Sequence, residues 1–155
     1  MASTTAAIRL SNLLRPDLTA PRKLVCLALQ IDLDLPHSKL YSPTRIEKRV
    51  GVSRPTSRST IMESFRTPIR PQLPVGLERL ARKKVRVNVN LITDKTIPAM
   101  ARVIYCVLLG LKRINKLKSY ASYRALGELL CVQARTVSRA LEQLVDAGWL
   151  TIERP

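Results

Sequence analysis

The chain has 155 residues and a formal net charge of +16, and its residues are 46% hydrophobic but only 4% aromatic. A core with so few aromatic rings must be built from aliphatic side chains, which suits packed helices, and five glycines are too few for a chain dominated by tight β turns. Three cysteines without C-x-x-C spacing and a single histidine exclude a zinc site and a disulfide framework, so we expect no metal and no cofactor.

The basic charge is spread evenly along the chain. Lys and Arg number 13 against 6 acidic residues in residues 1–80, and 14 against 5 in the remainder. This even excess predicts an anion-facing surface in each half, and nucleic acid is the expected partner. No apolar run approaches the length of about 18 residues that spans a membrane, and no secretory signal precedes the first helix. We therefore expect a cytoplasmic protein without a membrane partner.

An internal repeat organises the sequence. Six residues recur unchanged 80 positions later, and several apolar positions recur as apolar at the same interval. The six are Arg22, Cys26, Leu29, Ser42, Val52 and Thr56. The repeat predicts two units, residues 1–65 and residues 85–155. Residues 66–84 between them are rich in proline and basic residues, which is typical of a linker or of a distorted wing.

In the first unit, we interpret residues 7–14 as a strand and residues 19–31 as an apolar helix. Ser42 is suited to cap a short helix that ends near Val50, because its hydroxyl can accept a hydrogen bond from an unpaired backbone amide. Gly51 permits a left-handed turn residue, and a second helix follows the turn to about residue 65.

The second unit repeats this order. Valine alternates with polar residues from Val85 onward, which predicts a strand over 85–92 that either closes the wing of the first unit or opens the second. An apolar helix over 99–114 follows, then a short helix capped by Ser122 and a second helix that runs to about residue 147. Cys131 takes the place of the turn glycine between these two helices, and we expect it to face inward.

Several residues that attract attention are interpreted as structural. Cys26 and Cys106 occupy the same position of the two apolar helices at the 80-residue interval, and both are expected to be small core residues. Trp149 is expected to pack the root of a wing. No nucleophile elbow, glycine-rich phosphate loop or convincing carboxylate pair occurs in the sequence, so we expect no enzymatic activity.

A short helix, a three-residue turn and a second helix occupy residues 122–147, with an apolar helix before them and Gly148-Trp149-Leu150 after them. This arrangement resembles the winged-helix group of helix-turn-helix proteins. The first unit shares the turn, over residues 42–65, but lacks the Gly-Trp-Leu ending. The resemblance implies a mainly α fold with short β strands, in which two tandem winged-helix units form a pseudo-dimer.

Doubled winged helices of this kind resemble the initiators of plasmid replication and the accessory DNA-binding proteins of conjugative elements. The resemblance implies a non-catalytic protein that binds double-stranded DNA sequence-specifically at an origin or transfer region, beside other replication or transfer proteins. It implies a monomer that acts as a pseudo-dimer, in the cytoplasm with the nucleoid or a plasmid. A transcriptional repressor and a basic RNA-binding component of a ribonucleoprotein are the alternatives.

The candidate DNA-binding residues lie on the outward faces of the second helices and in basic clusters. Val132, Val137, Leu141 and Leu144 share one face and are expected to meet the core, which leaves the opposite face for the major groove, where Arg can bind guanine and Gln adenine. The candidates on the helices are Arg54, Arg58, Ser59, Gln133, Arg135, Thr136, Ser138 and Arg139. Contacts with flanking phosphates are expected from Lys112, Arg113, Lys116 and Lys118, and from Arg82, Lys83, Lys84 and Arg86.

Overall fold

The computed structural model of the protein describes residues 4–66, 77–114 and 123–151, and this part of the chain is mainly helical with a two-stranded sheet. The elements of the first half are β1 (Thr5–Arg9), α1 (Ala20–Ile31), α2 (His37–Leu40), α3 (Pro43–Val50) and α4 (Arg54–Arg66). Those of the second half are α5 (Glu78–Arg82), β2 (Lys84–Asn88), α6 (Val89–Ile92), α7 (Ala99–Ile114), α8 (Tyr123–Leu130) and α9 (Ala134–Asp146). The mainly α class with short β strands is confirmed.

The helix boundaries follow the local signals in the sequence. Pro21 lies in the first turn of α1, where a missing amide hydrogen costs little. The Ser42 hydroxyl accepts a hydrogen bond from the Arg45 amide at 3.4 Å and so caps α3, while Gly51 ends that helix with a φ of 80°. These predictions are confirmed. Ser122, predicted to cap α8, lies outside the described residues.

The two halves repeat the same helices at two slightly different intervals. The bounds of α3 and α4 recur 80 residues later as those of α8 and α9, at the interval that the sequence predicted. The buried positions of α1 and α7, however, coincide at an interval of 79. At that interval the buried Lys23 corresponds to the buried Arg102, and the half-buried Cys26 corresponds to Tyr105. The predicted equivalence of Cys26 with Cys106 is therefore one residue out of step, because the connection after α7 is one residue longer.

Both predicted strands are corrected by the structure. The strand expected over 85–92 ends at Asn88, whose side-chain oxygen accepts a hydrogen bond from the Asn90 amide at 2.9 Å and caps the short helix α6. A capped helix cannot continue the extended backbone, so Val89–Ile92 is helical. The strand expected over 7–14 is β1, five residues long, and a turn follows it.

The two strands pair with each other, in antiparallel orientation, and so join the two halves of the chain. β2 therefore lies beside the strand that opens the first half, which answers the question that the sequence left open. The bounds of β1 and β2 differ by 79 residues, and Ala7 lies opposite Arg86, its own counterpart at that interval. The pairing is thus symmetric about the Ala7–Arg86 pair.

The halves also share one hydrophobic core. Helices α1 and α7 contact each other, and the buried aliphatic residues of both halves belong to one cluster. The segment interpreted as a linker or distorted wing is described only from residue 77, and there it forms α5, whose Leu80 and Ala81 are buried in this cluster. Residues 67–76 lie outside the described part of the chain.

The end of α9 is a left-handed glycine cap. Gly148 has a φ of 81°, its amide donates to the Val145 carbonyl at 3.0 Å, and the Trp149 amide donates to the Leu144 carbonyl at 2.9 Å. This pair of bonds is the Schellman arrangement, which satisfies the last carbonyls of a helix. Trp149 is half-buried, with its ring edge-on to Tyr105 at 6.2 Å between ring centroids. A wing strand beyond residue 151 lies outside the described residues.

Candidate nucleic-acid interface

The core-facing side of α9 fixes the orientation of the helix. Val137, Leu141 and Leu144 are buried, at intervals of four and three residues, and Val132 is half-buried against the core. Apolar residues at this spacing form a stripe along one side of a helix, so the opposite side must face solvent. The predicted inward residues of the second unit are therefore confirmed.

The outward side of α9 presents two arginines one turn apart. Arg135 and Arg139 are exposed, and neither has an ion-pair partner among the described residues. Gln133 is exposed at the N-cap position, and its side chain makes no capping hydrogen bond. Thr136 and Ser138 are half-buried. The exposed side of α9 is thus a row of hydrogen-bond donors that are free to bind a ligand.

The turn before α9 is tight because two backbone segments approach closely. The Val132 amide donates to the Gly127 carbonyl at 2.8 Å, and a β-carbon added at Gly127 would lie 2.6 Å from the Val132 carbonyl oxygen. Cys131 connects them with a φ of 58°, in the left-handed region that glycine prefers.

Cys131 was expected to face inward, and that expectation is wrong. Its side chain is exposed, with the thiol 3.9 Å from the Glu128 carbonyl oxygen. The left-handed backbone at the end of α8 directs the side chain away from the core.

The equivalent helix of the first half, α4, has fewer free donors. The guanidinium of Arg54 lies 3.3 Å from Glu47, whose carboxylate also accepts a hydrogen bond from the Arg54 amide at 3.1 Å. Ser59 is half-buried; it accepts a hydrogen bond from Arg22 at 3.3 Å. Arg58 is exposed and has no acidic partner in the described part of the chain. Of the three candidates on α4, only Arg58 is therefore free to bind an anion.

Acidic residues neutralise other cations of the first half, and the sequence gave no sign of it. Asp32 binds both Arg45, at 2.7 Å, and Arg49, at 3.0 Å, and Glu63 binds Arg22 at 2.8 Å. The pairs that Asp32 and Glu63 form join residues at least 13 positions apart. Sequence patterns reveal charge pairs three or four residues apart on a helix, but not pairs such as these.

The basic cluster after α7 falls largely outside the described structure. Lys112 and Arg113 lie in the last turn of α7, and nothing is described of their side chains. Lys116 and Lys118 lie in the segment 115–122, which the structure does not describe. The second cluster is described: Arg82 is exposed at the end of α5, Lys83 is half-buried, and Lys84 and Arg86 are exposed on β2.

The buried thiols are poorly suited to nucleophilic chemistry. Complete burial raises the pKa of Cys106 to about 12, and burial also raises the pKa of Cys26. Within the described ranges, no group of three or more His, Cys, Asp and Glu side chains is placed to hold a metal ion. A search of the same residues for a helix long and apolar enough to cross a membrane found none.

Comparison with known families gives one match. Residues 95–150 match the family described as a helix-turn-helix domain. The matched stretch contains α7, α8 and α9, including the face that carries Arg135 and Arg139. Neither the search of curated proteins nor the search of solved structures returned a match. Residues 95–150 are therefore a DNA-binding helix-turn-helix domain that contains α7, α8 and α9.

Proposed function

We propose that the protein is a non-catalytic, sequence-specific double-stranded DNA-binding protein and that α9 reads base edges in the major groove. The observation that carries this proposal is the pair Arg135 and Arg139, exposed one turn apart on a helix whose opposite side is buried. An arginine that is not held by a carboxylate can bind the two acceptors of guanine without first breaking an ion pair. Gln133, at the start of the same helix, has the donor and acceptor that suit adenine.

We further propose that residues 1–65 and 85–155 act as a covalent pseudo-dimer of winged-helix units, each contacting its own half-site. The recurrence of α3 and α4 as α8 and α9 supports this reading, as does the symmetric pairing of β1 with β2. The two half-sites must differ, because Arg58 is the free arginine on α4 whereas α9 offers Arg135 and Arg139. The first half then contributes the weaker base contacts.

The biological setting that we propose is the origin or transfer region of a plasmid or other mobile element. Its support is the resemblance of doubled winged helices to plasmid initiators and conjugative accessory proteins. The protein would then act in the cytoplasm on plasmid or nucleoid DNA, with other replication or transfer proteins as partners. Repression of transcription from such a region is the alternative role.

In vitro selection of bound duplexes, followed by affinity measurements on the selected site, tests the proposal. Replacing Arg135 or Arg139 by Ala is expected to weaken binding to the selected site about 5- to 150-fold, because a bidentate base contact contributes about 1–3 kcal/mol of discrimination. Binding to random duplex should fall much less. The matched control is Arg124→Ala, which removes an exposed arginine of α8 that is paired with Glu128 at 3.3 Å.

Two outcomes would contradict the proposal. Equal affinity for the selected duplex, random duplex and random double-stranded RNA would exclude sequence-specific DNA binding and favour the ribonucleoprotein alternative. Equal losses on selected and random duplex in the Arg135→Ala and Arg139→Ala variants would show that α9 does not read bases.

A further inference from the structure

The solvent-facing side of the two-stranded sheet is a basic surface. The side chains on this side are Thr5, Ala7, Arg9, Lys84, Arg86 and Asn88, and five of the six are exposed. Half of them are cationic and none is acidic. Arg82 and Lys83, directly before β2, extend the positive charge. We call this surface the sheet face.

Two of these cations are held against each other by the strand register. Arg9 lies directly opposite Lys84, and like charges at directly opposite positions of an antiparallel pair repel. Arg86 is two residues further along β2, and its guanidinium donates to the Thr5 hydroxyl at 3.1 Å. The hydrogen bond from Arg86 keeps that guanidinium over the sheet. A ligand with several negative charges would relieve the repulsion and find its donors already in position.

The surface also offers a place for such a ligand. A cavity of about 390 Å³ opens beside β2 and is lined by Ala7, Lys84, Val85, Arg86 and Leu109. Two of its five lining residues are cationic, and the other three are apolar. A cavity with this lining suits a phosphate and the sugar attached to it better than a neutral polar ligand.

The sheet face lies at the end of the two long helices opposite to the helix-turn-helix elements. The Arg9 amide donates to Gln30 near the end of α1 at 2.7 Å, and a β-carbon on Gly110 of α7 would touch Leu10 and Val85. By contrast, α4 is bound to the start of α1 through Arg22 and Glu63. The sheet face is therefore separate from the face of α4 and α9 that would enter a groove.

We propose that the sheet face is a second, sequence-independent binding surface for the phosphate backbone of duplex DNA. Arg9 and Arg86 are the residues that contact phosphate. The inference rests on the proposed function in taking duplex DNA as the partner, but it does not require that α9 reads bases. The phosphates belong either to a flank of the duplex that α9 holds or to a second segment of DNA.

The test is the salt dependence of binding in the full chain with Arg9→Gln and Arg86→Gln together. Each phosphate contact contributes about 0.9 to the slope of log affinity against log salt concentration, so the slope should fall by about two. Affinity should fall by the same factor for the selected site and for random duplex. A charge-matched control combines Lys39→Gln on α2 with Arg124→Gln on α8 and should leave the slope nearly unchanged. The conservative pair Arg9→Lys and Arg86→Lys should restore it.

The source of the phosphates is tested with two labelled duplexes. If capture of the second duplex by a protein already loaded with the first is lost in the Gln variant, a second segment binds the sheet face. If the effect of the variant appears only on duplexes longer than the selected site, the flank of the same duplex binds it. Both results support the proposal.

An unchanged salt slope in the Gln variant would overturn the proposal. In that event, self-association of the variant would show that the cations serve only to keep the exposed strand edges from pairing. The proposed function fails differently, through loss of the difference between selected and random duplex in the wild-type protein. The two failures are therefore distinguishable.

Discussion

The guanidinium of Arg102 donates to the carbonyl oxygen of Val50 at 2.8 Å, and so α7 of the second half holds the last residue of α3 in the first half. The same nitrogen donates to the Ile92 carbonyl at 2.9 Å. Both acceptors are at the ends of helices, where unpaired carbonyls carry partial negative charge. Only 4% of Arg102 is exposed, its Nε has no hydrogen-bond partner, and burial lowers its pKa. One buried cation thus fixes the first helix-turn-helix against the second half.

We expect Arg102→Met to lower the free energy of unfolding by about 2 kcal/mol, because two buried carbonyl oxygens lose a charged donor. Urea unfolding followed by circular dichroism measures the change. The control is Arg22→Met, which removes the partly exposed ion pair with Glu63 and should cost less than about 1 kcal/mol. A variant as stable as the wild type would mean that relief of the buried charge outweighs the two hydrogen bonds.

We expect Cys131→Gly to stabilise the protein by about 0.5–1 kcal/mol, because a left-handed backbone costs an L residue about 1–2 kcal/mol and glycine much less, a gain that the greater freedom of unfolded glycine partly offsets. The reciprocal change at the equivalent turn, Gly51→Ala, should destabilise by about 1–2 kcal/mol. Its β-carbon would also lie 3.2 Å from Lys95 Cγ. Thermal unfolding of both variants decides the matter, and a destabilised Cys131→Gly variant would contradict the argument.

We expect Lys23→Met to be more stable than the wild type at neutral pH, by a margin that shrinks as the pH rises. Burial lowers the pKa of Lys23, an effect that nearby Cys131 and Asp17 only partly oppose. Between the folded pKa and the ordinary value of about 10.4, unfolding takes up a proton, so wild-type stability rises with pH in that window. Unfolding free energies at pH 7 and pH 9.5 test this, with exposed Lys39→Met as the control. A margin independent of pH would show that Lys23 is not perturbed in the folded state.

We expect Arg58→Ala to weaken binding to the selected DNA site more than Arg54→Ala. Arg54 must leave Glu47 before it can contact DNA, and Arg58 has no such partner in the described part of the chain. Glu47→Gln should raise affinity several-fold, since it frees Arg54 and keeps an acceptor for the Arg54 amide. Titration of fluorescent duplex measures all three. The reverse ranking of the two arginines would place Arg54, not Arg58, at the DNA.

We expect Cys131 to react rapidly with a neutral thiol reagent at pH 8 and Cys106 to react only on unfolding. Cys131 is exposed, whereas Cys106 is fully buried with a pKa raised to about 12, and the thiolate is the reactive form. Mass spectrometry of the labelled peptides gives the two rates. In Cys131→Ser the fast phase should disappear.

Local chemistry made much of the fold predictable from the sequence. The cap at Ser42, the left-handed turn at Gly51 and the apolar stripe that ends at Leu144 each act within a few residues, and the structure shows all three. The cap at Asn88 is equally local, but the alternating valines masked it, because they continue into the helical turn that the cap begins.

What the sequence could not predict depends on contacts between distant segments. An ungapped alignment paired Cys26 with Cys106, and only the burial of side chains reveals the one-residue shift that pairs Lys23 with Arg102. For the candidate site, α9 could be identified from its apolar stripe. The neutralisation of Arg54 by Glu47 could not, because it requires the geometry of the turn between α3 and α4.

The pairing of Ala7 with Arg86 has a consequence for how such a protein can evolve. In a dimer of identical subunits, the residue on the two-fold axis must face its own copy, so the choice would be between two alanines and two clashing arginines. A single chain removes this constraint, and each half of the proposed pseudo-dimer can change alone. It also has no dissociation equilibrium between its halves, so both readers reach the DNA together however dilute the protein is.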